Sequence, residues 1–140
     1  MAKRTGNSVL TCEGGCHCGA VRFEIELEQP VQAFRCNCSI CRKSGFIHVF
    51  LTPERCHVLR GQDALLEYQF HTHTARHLCC RHCGVKSYYV PRSHPDGISA
   101  NLNCLDLPKS VVLTIGDFDG AHWSRSIAGL HSAAEETANE

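Results

Sequence analysis

Gly14-Gly15-Cys16-His17-Cys18-Gly19-Ala20-Val21-Arg22-Phe23-Glu24-Ile25-Glu26-Leu27 is the stretch that decides the architecture. Its second half alternates strictly between apolar and polar residues, the mark of a β-strand with one buried face, and turns Val21, Phe23, Ile25 and Leu27 toward a core. Its first half sets two thiols one residue apart between glycines, which free the backbone to wrap closely around an ion. Two thiolates cannot close a tetrahedral zinc site, so Cys16 and Cys18 need partners elsewhere. Such partners stand in Cys79-Cys80-Arg81-His82-Cys83-Gly84, where C-x2-C followed by glycine is the usual half of a zinc knuckle. Cys80 and Cys83 have the right spacing, which leaves Cys79 pointing the other way along the chain. The two halves sum to a closed four-cysteine zinc site that staples an N-terminal hairpin to the far end of a sheet and contributes folding energy directly.

A third cluster lies between them. Cys36-Asn37-Cys38-Ser39-Ile40-Cys41-Arg42-Lys43-Ser44-Gly45 carries three thiols within six residues. Cysteines one apart in an extended loop turn toward a common centre, and the third returns after a short turn. Thiolates select zinc or iron–sulfur iron over hard cations. A structural zinc site takes four protein ligands, so three leave a position for water or substrate. No local fourth ligand follows Cys41. A distant Cys or His completing the set is the competing reading, and the open, reactive site is the one favoured.

Composition sets the context. The chain has 140 residues, 43% hydrophobic and 20% charged, and suits one globular domain. Lys plus Arg and Asp plus Glu number 14 each, so nothing in the balance points to nucleic acid or an anionic membrane. Thiolates on zinc would make the loaded chain mildly acidic. The start, from Met1 to Ser8, has no apolar run of signal-peptide length, and no stretch approaches membrane-spanning length. The odd count of 11 cysteines and their C-x-C and C-x2-C clustering favour metal over disulfides. The expectation is a soluble, cytoplasmic protein with a flexible lead over 1–10, a zinc-binding β domain over 11–130 and a polar tail over 131–140.

The remaining elements are expected as follows. Pro30 ends the first alternating strand, and Val31 to Arg35 leads into the three-cysteine loop as another. Phe46 to Leu51 is a short, nearly continuous apolar run that reads as a buried strand. Cys56 to Arg60 is strand, then a turn at Gly61-Gln62-Asp63. Leu65 to Phe70 is strand and continues through His71 to Leu78, which would place His71, His73 and His77 on one solvated sheet face. Lys86 to Val90, Ile98 to Leu102 and Val111 to Ile115 are further strands, with a turn from Gly116 to Gly120. Trp123, Ile127 and Leu130 carry a helical spacing. His48 reads as packed in its strand, and Cys56 and Cys104 as small buried hydrophobes.

Taken together, Gly-Gly-Cys-His-Cys-Gly-Ala-Val-Arg-Phe-Glu (14–24), Cys-Asn-Cys-Ser-Ile-Cys-Arg-Lys-Ser-Gly (36–45) and Cys-Cys-Arg-His-Cys-Gly-Val (79–85) resemble a known family. With Tyr-Tyr-Val-Pro-Arg-Ser-His-Pro-Asp-Gly (88–97) and Cys-Leu-Asp (104–106), they are similar to the glutathione-dependent formaldehyde-activating enzymes and their relative centromere protein V. The resemblance runs from about Gly14 to Trp123. It implies an all-β fold of small antiparallel sheets stapled by zinc, Mss4-like, with little helix. It implies two zinc ions: a structural one on Cys16, Cys18, Cys80 and Cys83, and a catalytic one on Cys36, Cys38 and Cys41. The implied activity is that of a carbon–sulfur lyase adding the thiol of glutathione to formaldehyde, with a small thiol and an aldehyde as partners. Arg35, Arg42 and Lys43 flank the three-cysteine loop and are candidates to hold glutathione's carboxylates, against the ordinary reading of solvated surface charge. The other function class is a non-catalytic zinc module, acting as a glutathione carrier or a protein-interaction domain.

Overall fold

The structure, a computed structural model, describes residues 9–92 and 97–119. Among these residues are ten strands and one α-helix: β1 (Val9–Gly15), β2 (Arg22–Glu28), β3 (Val31–Cys36), α1 (Ser39–Ser44), β4 (Ile47–Leu51), β5 (Cys56–Arg60), β6 (Leu65–Tyr68), β7 (Arg76–Cys80), β8 (Tyr88–Val90), β9 (Ile98–Asn101) and β10 (Leu113–Phe118). Single 3-10 turns lie at Pro53–Arg55, Gln62–Ala64 and Leu102–Cys104. The all-β expectation with little helix is borne out.

The strands form two sheets. One has the order β1-β2-β5 and the other β10-β3-β4-β9-β8-β7-β6. Alternation along β2 does what the sequence asks: Phe23, Ile25 and the preceding Val21 are 0% exposed and Leu27 is 4% exposed. These residues fill the space between the sheets with Val31, Ala33, Val49, Cys80 and Ala100. Phe23 meets Tyr88 edge-on, with ring centroids 5.5 Å apart, so an aromatic pair bridges the first sheet and the second.

Three expectations are corrected. The chain from Leu65 to Leu78 is not one strand: β6 and β7 form an antiparallel hairpin, pairing Leu65 with Cys80 and Tyr68 with His77. His71 and His73 turn the corner with φ of 56° and 55°, an uncommon conformation for a residue other than glycine. Those two are exposed at the tip, whereas His77 is buried in the sheet, so the three do not share a solvated face. The three-cysteine segment is not simply an extended loop, because Cys41 lies in α1. Gly45 caps that helix in the left-handed conformation, φ 69°, and its N–H donates to the Cys41 carbonyl at 3.0 Å. Finally, the last strand reaches Phe118 through the expected turn at Gly116, and β10 runs parallel to β3, so the sheets are not wholly antiparallel.

Among the described residues no helix is long and apolar enough to cross a membrane. Of the flexible lead expected over 1–10, Val9 and Leu10 instead belong to β1, where they pair with Glu28 and Leu27; residues 1–8, the helical spacing at Trp123 to Leu130 and the tail over 131–140 lie outside the described residues.

Candidate metal centres

Among the described residues the fold gathers two cysteine clusters. In the first, Cys16 and Cys18 follow β1, and Cys80 and Cys83 come from the end of β7 and the turn after it. Their sulfurs all lie within 4.8 Å of one another. Cys16 and Cys18 Sγ are 3.6 Å apart, and Cys18 and Cys80 Sγ 3.7 Å. Sulfurs around a tetrahedral zinc sit about 3.8 Å apart for a bond of about 2.3 Å, so this set fits the ion. Backbone N–H groups already point at it, Val21 to Cys16 Sγ and His82 to Cys80 Sγ, both at 3.3 Å. Burial works against charge on Cys16, but the Val21 N–H and the Cys18 and Cys80 thiols outweigh it and lower its pKa. Cys83 is brought down to about 6, burial again opposing and the Val85 N–H favouring the thiolate. Cys79 lies outside this cluster, so the choice of Cys80 over its neighbour follows from strand register.

In the second cluster, Cys36 ends β3, Cys38 is the N-cap of α1 and Cys41 sits in the helix, with their three sulfurs within 4.8 Å of one another. Hydrogen bonding within the cluster favours negative charge on Cys38 over its two neighbours. Hydrogen bonds from the Cys36 and Cys41 thiols, with the Cys41 and Ile40 N–H groups, bring Cys38 down to about 2. Those same neighbours, Cys36 and Cys38, together with burial, push Cys41 up. Soft donors held this closely suit a thiophilic divalent ion. No fourth cysteine joins the cluster among the described residues.

Around the three sulfurs is a buried polar shell that sequence reasoning does not identify. His48 is 3% exposed, and its Nε2 is 3.0 Å from Cys41 Sγ. Its Nδ1 faces Ser99 Oγ at 3.1 Å and the Tyr89 hydroxyl at 3.2 Å. Lys86 donates from Nζ to His77 Nδ1 at 2.7 Å and lies over the Tyr89 ring, 4.1 Å from its centroid. Burial and the Lys86 charge lower both His48 and His77 to about 4, which keeps the rings neutral. Lys86 itself is lowered to about 8 by burial, against the attraction of Cys41, Cys38, Cys79 and Cys36. The sequence signal for His48 is a polar residue inside an otherwise apolar run; its partners come from strands too distant in sequence to read.

The candidate glutathione contacts are separated. Arg35 on β3 and Arg42 and Lys43 in the last turn of α1 are all exposed. Of the three, Lys43 lines a groove of about 210 Å³ against α1, with Ser39, Ile40, Tyr68 and Phe70. Tyr68 and Phe70 stack at 5.6 Å and form an apolar wall to it.

Residues 11–118 match the model of the family described as glutathione-dependent formaldehyde-activating enzyme. A protein of Halomonas elongata, provisionally named as such an enzyme, is 59% identical over 36 residues. That match covers 26% of this chain and 23% of the relative, so the chain spans about a quarter of the relative's length. The crystal structure of a Rhodobacter sphaeroides protein has 36% identity and a TM-score of 0.66, over 75% of this chain and 98% of that one.

Proposed function

Because the chain belongs to the glutathione-dependent formaldehyde-activating enzyme family, we propose that it adds the thiol of glutathione to formaldehyde at Cys36, Cys38 and Cys41. In this reading Cys16, Cys18, Cys80 and Cys83 hold a structural zinc, and the three-cysteine cluster holds a second zinc with one position left for the substrate. The reading is supported above all by the contrast between the two clusters: one offers four sulfurs, the other three.

Zinc bound there supplies positive charge that makes a coordinating thiol give up its proton. The rest falls to the chain. Three thiolates carry more negative charge than a divalent ion neutralises, which leaves an added thiolate nucleophilic. The S–H bond of glutathione breaks, a bond forms from its sulfur to the carbonyl carbon, and a proton ends on the former carbonyl oxygen. The product is S-hydroxymethylglutathione, and the reverse direction makes the enzyme a carbon–sulfur lyase. Lys43 offers an ammonium to a glutathione carboxylate along the groove, and the Tyr68–Phe70 wall shields the peptide's apolar face.

The test is a comparison of rates. Zinc-loaded protein should speed the formation of S-hydroxymethylglutathione above the uncatalysed reaction, followed by exchange NMR. The Cys38→Ser variant should lose that acceleration and the metal of the second centre while its far-ultraviolet circular dichroism is unchanged. Tight glutathione binding with no acceleration in the wild type would make the protein a carrier.

A further inference from the structure

We infer that His48 donates its Nε2–H to the Cys41 sulfur of the loaded three-cysteine centre, and thereby makes Cys41 a weaker electron donor than Cys36 and Cys38. The inference rests on the reading that these cysteines hold a metal; it adds a positioning residue that acts through one ligand.

Helix α1 and three strands build this contact. His48 on β4 is 3.0 Å from Cys41 Sγ through Nε2. A metal-bound cysteine is a thiolate and can only accept, so the hydrogen in this contact belongs to the ring. A neutral imidazole with its proton on Nε2 must accept at Nδ1. The structure provides for that: Nδ1 faces the hydroxyls of Ser99 and Tyr89, either of which can donate. Tyr89 and Ser99 are direct cross-strand partners on β8 and β9, so sheet register brings both hydroxyls to one ring. Aromatic neighbours fix the plane. Phe50 stacks on the imidazole at 5.6 Å with 14° between the rings, and Phe46 packs at 4.8 Å. His48 is not a fourth ligand in this arrangement, because it stands outside the set of atoms lying mutually within 4.8 Å. It approaches one sulfur from the protein side.

The chemical consequence is a graded centre. A hydrogen bond to a thiolate draws charge from sulfur and lowers what it gives to the metal, the kind of tuning by which outer partners adjust metal sites. Three unmodified thiolates would leave the ion a poor acid toward a fourth sulfur. Weakening one of them restores part of that acidity and makes the protein's own Cys41 a poorer target for an electrophile than the incoming thiolate.

Cobalt in place of zinc reads this directly. Wild type, His48→Leu and His48→Gln are loaded with Co²⁺, and the sulfur-to-cobalt charge-transfer band is compared; the four-cysteine centre contributes the same background to each. His48→Leu should move the band to longer wavelength, because a sulfur freed of its donor gives up charge more readily. His48→Gln, whose amide N–H can stand where Nε2–H stood, should return it to the wild-type position. An unmoved band in His48→Leu with both centres filled would overturn this inference alone. Cobalt filling only the four-cysteine centre of the wild type would overturn the metal reading with it. A loss of ligand-field intensity in both variants would make His48 a ligand, which also contradicts the inference. Should the leucine variant fail to fold, ¹⁵N shifts of His48 in the zinc-loaded wild type decide the matter: a protonated Nε2 and a bare Nδ1 are expected, and the opposite tautomer overturns the inference.

Discussion

His77 shows how a single buried ring ties the site to the solution. Its imidazole stacks on Tyr89 at 5.0 Å and on Phe70 at 5.3 Å, and accepts from Lys86. Burial and that ammonium lower its pKa from the ordinary 6.5 to about 4. The unfolded chain therefore takes up a proton at higher pH than the folded one. Stability from the neutral ring is present above pH 6.5 and is lost as pH falls toward 4. After discounting for its partial contact with water, the effect is about 1 kcal/mol between pH 7 and 5. The His77→Gln variant forfeits the stacking at neutral pH but has no such proton to gain. Urea unfolding should show it less stable than the wild type at pH 7, with the gap narrowing by pH 5. A gap independent of pH would contradict the neutral, buried assignment of His77. Sequence alone reads this ring as solvated, since a histidine at every second or fourth position mimics one polar face. What decides otherwise is a reversal of the chain at His71 and His73, which carry no glycine or proline to announce a turn.

Elements long enough to repeat their pattern were legible, and short ones were not. Val21, Phe23, Ile25 and Leu27 repeat the period-two alternation, and all four are buried. Helix α1 spans six residues, fewer than two turns, too few for a helical period to register. The cysteine spacings were legible for a different reason: chelation by adjacent thiols is local chemistry and needs no knowledge of the sheet. Pairing of the half-sites was legible too, because a two-thiol site demands a complement. That complement makes a test of the joint between elements. Cys18 and Cys80 meet across 62 positions of chain, joining the turn after β1 to the end of β7. With the proposed structural zinc in place, Cys83→Ser should remove one ligand of that joint and cost several kcal/mol of stability, because metal bound there would contribute folding energy. Thermal unfolding of zinc-loaded protein checks it: a retained midpoint with full zinc content would contradict the structural role.

Over the whole molecule the two sheets divide the work. The first sheet supplies core side chains and, with the knuckle after β7, the four-cysteine centre; the second carries the three-cysteine centre on β3 and α1 and its buried shell on β4, β8 and β9. The shell was not legible in the sequence. His48, Tyr89 and Ser99 are spread over 51 positions and meet only because β4, β9 and β8 are neighbours in the sheet. On the proposed function, a rigid β framework would keep the three cysteines from collapsing onto the side of the ion left for substrate. In the proposed function an outside thiol takes that side, and titration calorimetry of zinc-loaded protein decides whether it does. Glutathione should bind and release a proton, with an affinity that rises with pH until the bound thiol is fully ionised, whereas S-methylglutathione, offering a thioether, should bind far more weakly. Equal affinity for the two, with no proton released by glutathione, would contradict it.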